Sequence, residues 1–196
     1  MRIKYNAPIV LTFTLLCALV LLLSYTFFPN LTVNWFTVPG RLAVPGKDNF
    51  HAGSLRDWIT ILTHVAGHKD WSHLINNFTL ILLIGPMLEE NYGSKPLLIM
   101  IITTALITGI LNVLLFPYPL MGASGVVFMM ILLSSFTNFS HGEIPLTFIL
   151  VLILYMFIQL FNTSGSENIS HFAHIIGGLC GSIFGFFRPQ RKVIYE

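Results

Sequence analysis

The stretch Ala173-His174-Ile175-Ile176-Gly177-Gly178-Leu179-Cys180-Gly181-Ser182-Ile183-Phe184-Gly185 is an apolar run with small residues at 173, 177, 181 and 185. A four-residue period puts those positions on one helical face, a smooth stripe that another helix backbone can approach closely. His174 lies one position off the stripe, and Gly178 lies one turn beyond it. An imidazole at the head of an apolar helix costs free energy unless it finds partners, which makes it a functional candidate. Its counterpart is Gly122-Ala123-Ser124-Gly125, where a hydroxyl opens another apolar stretch. A nucleophile and a base in two bilayer-length segments point to hydrolysis within a membrane. Taken alone, glycine and serine at such spacings more often mark close helix packing.

The surroundings fit a membrane. Of 196 residues 55% are hydrophobic and 9% charged, and the mean hydropathy is +0.78. These values exclude a water-soluble domain and a disordered chain, and imply an all-α polytopic membrane protein with one domain over 1–196. The net charge of +2 and the lack of a long basic run exclude nucleic acid as an expected partner. Cys17 and Cys180 show no CxxC or zinc-ligand spacing and read as packing residues. Apolar windows at 9–28, 72–90, 97–116, 123–139, 145–162 and 172–187 give six expected transmembrane helices. The first follows Arg2 and Lys4 as a signal peptide would, but it lacks a small-residue cleavage motif and reads as an uncleaved span.

With both termini cytoplasmic, Arg2, Lys4, Lys95, Arg188, Arg191 and Lys192 fall inside. The first loop, 29–71, is then outside. Its prolines and glycines oppose one continuous helix, and Trp35, Trp58 and Trp71 favour the headgroup region, so the loop is expected to lie partly in the outer interface.

In this topology spans two, four and six all begin outside, so His73, Ser124 and His174 reach similar depth near the outer face. Ser124 would stand at the first turn of its helix, where free N–H groups and the helix dipole favour an oxyanion. Gly122 and Gly125 remove bulk on either side of it. His174 is the candidate base, and Gly177 and Gly178 allow its helix to come close. His73 and Asn77, four apart on one helical face, are candidate oxyanion donors together with the Ser124 N–H. Phe128, one turn below Ser124, is a candidate support for His174. No acid falls in the outward halves of spans four or six, so a Ser–His dyad is expected. His64 and His68 are also four apart, and with the second helix read from His64 they could resemble a metal clip. Val65 occupies the position where a zincin motif needs glutamate, so no metal is expected and the two histidines read as hydrogen-bonding supports. Glu89 and Glu90 are expected to anchor a helix end.

Taken together and in order, His73-x-x-x-Asn77, Glu89-x-x-x-Gly93-Ser94, Gly122-Ala123-Ser124-Gly125 and Ala173-His174-x-x-Gly177 resemble the rhomboid intramembrane serine proteases of the minimal six-span bacterial type. The resemblance runs from His64 to Gly178. It implies a six-transmembrane-helix bundle, Ser124 as nucleophile, His174 as general base and acid, and His73 and Asn77 on the oxyanion side. It also implies no metal or cofactor, residence in a bacterial cytoplasmic membrane, and single-span membrane proteins as substrates, cut in or near the outer membrane face. Because a helix hides its peptide bonds, such substrates should carry helix-weakening residues near the cut. The chain departs from the pattern at Phe128, where the family often has tyrosine, and in the first loop, where Arg56-Asp57-Trp58 is the nearest text to a familiar Trp-Arg pair. Two other readings are a non-catalytic rhomboid-like protein that binds transmembrane helices, and a small transporter with His64, His68 and His73 along its path. Retention of both Ser124 and His174 favours the enzyme.

Overall fold

A computed structural model describes residues 5–41, 49–136 and 168–187, with further helical positions at 146–147, 149–150 and 153–154. Its helices are α1 (Pro8–Thr26), α2 (Leu31–Trp35), α3 (Leu55–Thr63), α4 (Trp71–Tyr92), α5 (Ser94–Leu115), α6 (Ser124–Ser134) and α7 (Asn168–Phe187). Three of them, α1, α4 and α5, are long and apolar enough to cross a membrane, with mean hydropathies of 2.4, 1.3 and 2.4 over their best windows. The window at 145–162 lies outside the described residues except for the scattered helical positions above.

Local chemistry sets the ends of these helices. Pro8 opens α1, where its fixed φ suits the first turn and its missing N–H has no helical partner to lose. The helix stops at Thr26, short of the apolar Phe27 and Phe28, as the chain turns through Asn30 at φ 71°. Asp70 caps α4, its carboxylate accepting the His73 N–H at 2.8 Å. This corrects the reading of a helix from His64. His64–Ala66 forms one 3₁₀ turn, and Gly67 is extended with ψ 143°, so His64 and His68 do not share a helical face. At the other end of α4, Gly93 takes φ 89° and α5 follows at once.

Glu89 ties that end together. Its carboxylate accepts the N–H groups of Ile9 and Val10, both at 3.0 Å, and the Ser94 hydroxyl at 2.6 Å. A buried carboxylate is thereby satisfied by the free amides and positive dipole end of α1. Glu90 is exposed. Nearby, a Cβ on Gly85 would lie 2.8 Å from Val10, so α1 and α4 cross closely there.

The core centres on α6, which packs against α4, α5 and α7. Val126, Val127, Met129, Met130, Leu132 and Leu133 are all buried, leaving little of its circumference open. A helix apolar all round belongs in an interior of this kind.

In the first loop, α3 turns Asp57, Thr60 and Ile61 inward and leaves Leu55, Trp58, Ile59 and Leu62 exposed. Such an inverted face suits a lipid environment. Asp57 is satisfied by the His51 N–H at 2.8 Å, the Ser54 hydroxyl at 3.0 Å and Arg56 Nε at 3.2 Å. Burial raises its pKa, but these donors outweigh it and hold the carboxyl below its usual range.

Candidate active site

Ser124 is the first residue of α6, so its N–H and those just after it have no helical acceptor. The chain reaches it through Gly122, whose φ of 127° is a conformation that side chains disfavour. The Gly122 N–H donates to the His64 carbonyl at 3.0 Å, which pins the turn. A Cβ on Gly122 would lie 2.7 Å from Cε1 and 2.9 Å from Nε2 of His73. The imidazole of His73 therefore rests on the glycine face two residues before Ser124.

The small-residue stripe of α7 meets α6 backbone to backbone. A Cβ on Gly177 would collide with the Gly125 carbonyl, and one on Gly181 with the Met129 carbonyl. A Cβ on Gly125 would in turn lie 3.3 Å from the Ala173 carbonyl oxygen. Residues 125 and 173 thus stand at one level of the seam, so their neighbours Ser124 and His174 both belong to its upper end. The His174 ring stacks on Phe128, with centroids 4.3 Å apart and planes at 35°. His171 lies edge-on to it at 6.4 Å. Gly178 is buried.

Behind His73 stands a second group of polar side chains. The ring of His68 is edge-on to that of His73 at 5.1 Å, and its Nε2 lies 3.1 Å from Asn77 Nδ2. With the amide nitrogen as donor, Nε2 accepts, and the buried Nδ1 has no hydrogen-bond partner among the described residues. Asn77 is itself buried and in this arrangement spends one amide hydrogen on His68. His64 is held through Nδ1 to the Ile61 carbonyl at 3.0 Å, and its Nε2 lies 3.3 Å from the Thr108 hydroxyl. Burial lowers the pKa of both His64 and His68 to about 4, so both are neutral at pH 7. Among the described residues no three His, Cys, Asp or Glu side chains are grouped to hold a metal ion.

The structure adds residues that the motifs do not include. Thr104, Thr108 and Asn112 of α5 are all buried, and Asn112 Nδ2 donates to the Tyr118 carbonyl at 3.1 Å in the segment leading to Ser124. Their four-residue spacing is a signal that the sequence contains, a polar stripe on an otherwise apolar helix.

This chain matches the family model described as Rhomboid domain over residues 55–191, more than half its length. It is 29% identical to "Rhomboid protease GluP" of Bacillus subtilis (strain 168) over 132 residues, 65% of this chain and 25% of that protein. It is 30% identical to "Rhomboid-related protein 1" of Caenorhabditis elegans over 140 residues, 61% of this chain and 36% of the relative. The match thus spans about a quarter to about a third of the length of these relatives.

Proposed function

The chain belongs to the rhomboid family and is an integral membrane protein, and from that premise we propose that it is an intramembrane serine endopeptidase acting through a Ser124–His174 dyad. The observation that carries the proposal is the contact of Gly177 with the Gly125 backbone, which sets the heads of α6 and α7 side by side. His174 takes the Ser124 proton as the hydroxyl oxygen attacks the scissile carbonyl, then returns it to the leaving amine. Water, activated by the same imidazole, releases the acyl group and regenerates the serine.

The negative charge that develops on the carbonyl oxygen falls to the Ser124 N–H at the head of α6, with His73 and Asn77 as side-chain donors. Asn77 has a second amide hydrogen beyond the one facing His68. Phe128 holds the plane of His174 by stacking, and Gly122 and Gly125 leave room for substrate backbone. His64 holds the turn through its carbonyl and His68 backs His73, and as neutral rings neither adds charge to the site.

The substrates are single-span membrane proteins that enter a lipid-facing domain spanning 1–196, in a bacterial cytoplasmic membrane with both termini inside and the site open to the outer side. Helix-weakening residues near the cut lower the cost of exposing the peptide bond. The test uses purified protein reconstituted with a single-span substrate and a fluorophosphonate probe. Ser124→Ala is expected to abolish cleavage and labelling with the thermal midpoint nearly unchanged, and His174→Ala to prevent labelling of Ser124. Cleavage retained by Ser124→Ala would refute the nucleophile. A folded wild type that binds a transmembrane peptide but neither cleaves nor labels would establish the binding protein instead.

A further inference from the structure

Besides the His64 carbonyl on Gly122, the first loop reaches the candidate site through a short segment, 36–41. Val38 pairs with Leu120 in both directions, N–H to carbonyl at 2.9 Å each way, four residues before Ser124. Three residues on, the Arg41 N–H donates to the Phe116 carbonyl at 2.7 Å, and Arg41 Nη1 to the Leu114 carbonyl at 3.0 Å. Between them Gly40 lies so close to Pro117 that a Cβ would strike its carbonyl. Thr37 adds a contact from its hydroxyl to Met121 Sδ at 3.4 Å. Four of the six residues therefore bind the strand of chain that delivers Ser124.

The same segment also touches the other half of the dyad. The Val38 side chain is fully buried in a small cluster with Leu120 and Ala173, and Ala173 immediately precedes His174. Phe116, whose carbonyl Arg41 holds, stacks at 4.2 Å on Phe172, two residues before His174. One wedge thus spans the approach to the nucleophile and the head of the helix that carries the base. It lies outside residues 55–191, the part matched by the family model.

We propose that Val38, held by the 36–41 strap, is a positioning residue that sets the spacing of Ser124 and His174. This rests on the endopeptidase reading and adds to it. The physical reason is that Val38 is buried in one cluster with Leu120 and Ala173, so the volume of its isopropyl group sets how closely the segment before Ser124 packs against the head of α7. A displacement of about 1 Å between reacting groups can lower a rate by about a hundredfold, so a small slackening is visible in turnover. Positioning differs from general support in where the loss falls.

The experiment measures kcat, KM, Ser124 labelling rate and thermal midpoint for the full reconstituted chain. The variants are Val38→Ala, Val38→Ile, Arg41→Ala and Val20→Ala, the last a matched truncation buried in α1. Val38→Ala is expected to slow labelling and kcat about tenfold with KM within about twofold, and Val38→Ile to recover most of the loss. Val20→Ala should lower the midpoint by a similar amount and leave kcat near wild type. Arg41 is exposed, so its truncation leaves folding intact, and it should slow labelling about threefold. Wild-type labelling in folded Val38→Ala overturns the proposal. If that variant does not fold, wild-type labelling in Arg41→Ala overturns it. A wild type that fails to label at all defeats the endopeptidase reading itself, whereas equal labelling of wild type and variants defeats only the strap.

Discussion

Gly122 is where the chain's chemistry is most compressed. Its backbone takes a φ that L side chains disfavour, and its missing Cβ is the floor on which the His73 ring lies. An alanine there meets both problems together: backbone strain of about 1–3 kcal/mol and a ring that must move. Gly122→Ala is therefore expected to reduce the Ser124 labelling rate at least about tenfold while lowering the thermal midpoint by a few degrees. Native labelling in a folded variant would show that His73 can leave its seat at no cost to the chemistry. The need for glycine at this position is only half legible in the sequence. GxSG shows that bulk is absent, but the neighbour that requires the absence comes from α4, about fifty residues earlier.

At the scale of elements, the seam between α6 and α7 is the decisive contact. Gly181 faces the Met129 carbonyl, and backbone cannot yield as a flexible side chain can. Gly181→Val should cost about 3 kcal/mol, the upper range for overpacking, and carry activity away with it. Ile183→Leu on the same helix, at an exposed position, should stay within about 0.5 kcal/mol. Thermal unfolding of the two purified variants separates a specific seam from general sensitivity of α7. The stripe at 173, 177, 181 and 185 is plain in the sequence, but its partner is not, because several apolar helices offer the same kind of surface. The helix start at Trp71 was legible in Asp70, an N-cap residue. Reading the helix from His64 missed how Gly67 and the 3₁₀ turn redirect the chain before that cap.

For the whole molecule, stability should depend on pH through the histidines buried between α3 and α4. His64 and His68 have pKa values near 4 in the fold and about 6.5 when unfolded. Their contribution is therefore complete above about pH 6.5, declines as pH falls and the unfolded chain takes up protons, and levels off below about pH 4. For His64 alone the difference amounts to about 3 kcal/mol. Thermal midpoints of the detergent-solubilised protein from pH 7.5 to 4 should fall through this window, and His64→Gln should flatten the decline. An unchanged slope in that variant would assign the acid loss to other groups. The His64 carbonyl holds Gly122 and the His68 ring packs against His73, so this loss should be accompanied by slower labelling.

What the sequence determined by itself is the class of the molecule and the identity of its polar residues. Hydropathy and helical period are local properties, and they are sufficient to mark apolar helices, a small-residue stripe, and a serine and histidines set into otherwise apolar text. The tertiary structure decided which of these meet. Glu89 on the α1 amides, His73 on Gly122, Asn77 with His68, and Val38 clustered with Leu120 and Ala173 all join residues that hydropathy cannot pair. The reason is physical: an apolar face is nearly indifferent to which apolar face it covers, whereas carbonyls, rings and missing Cβ atoms admit only one arrangement once the helices are packed.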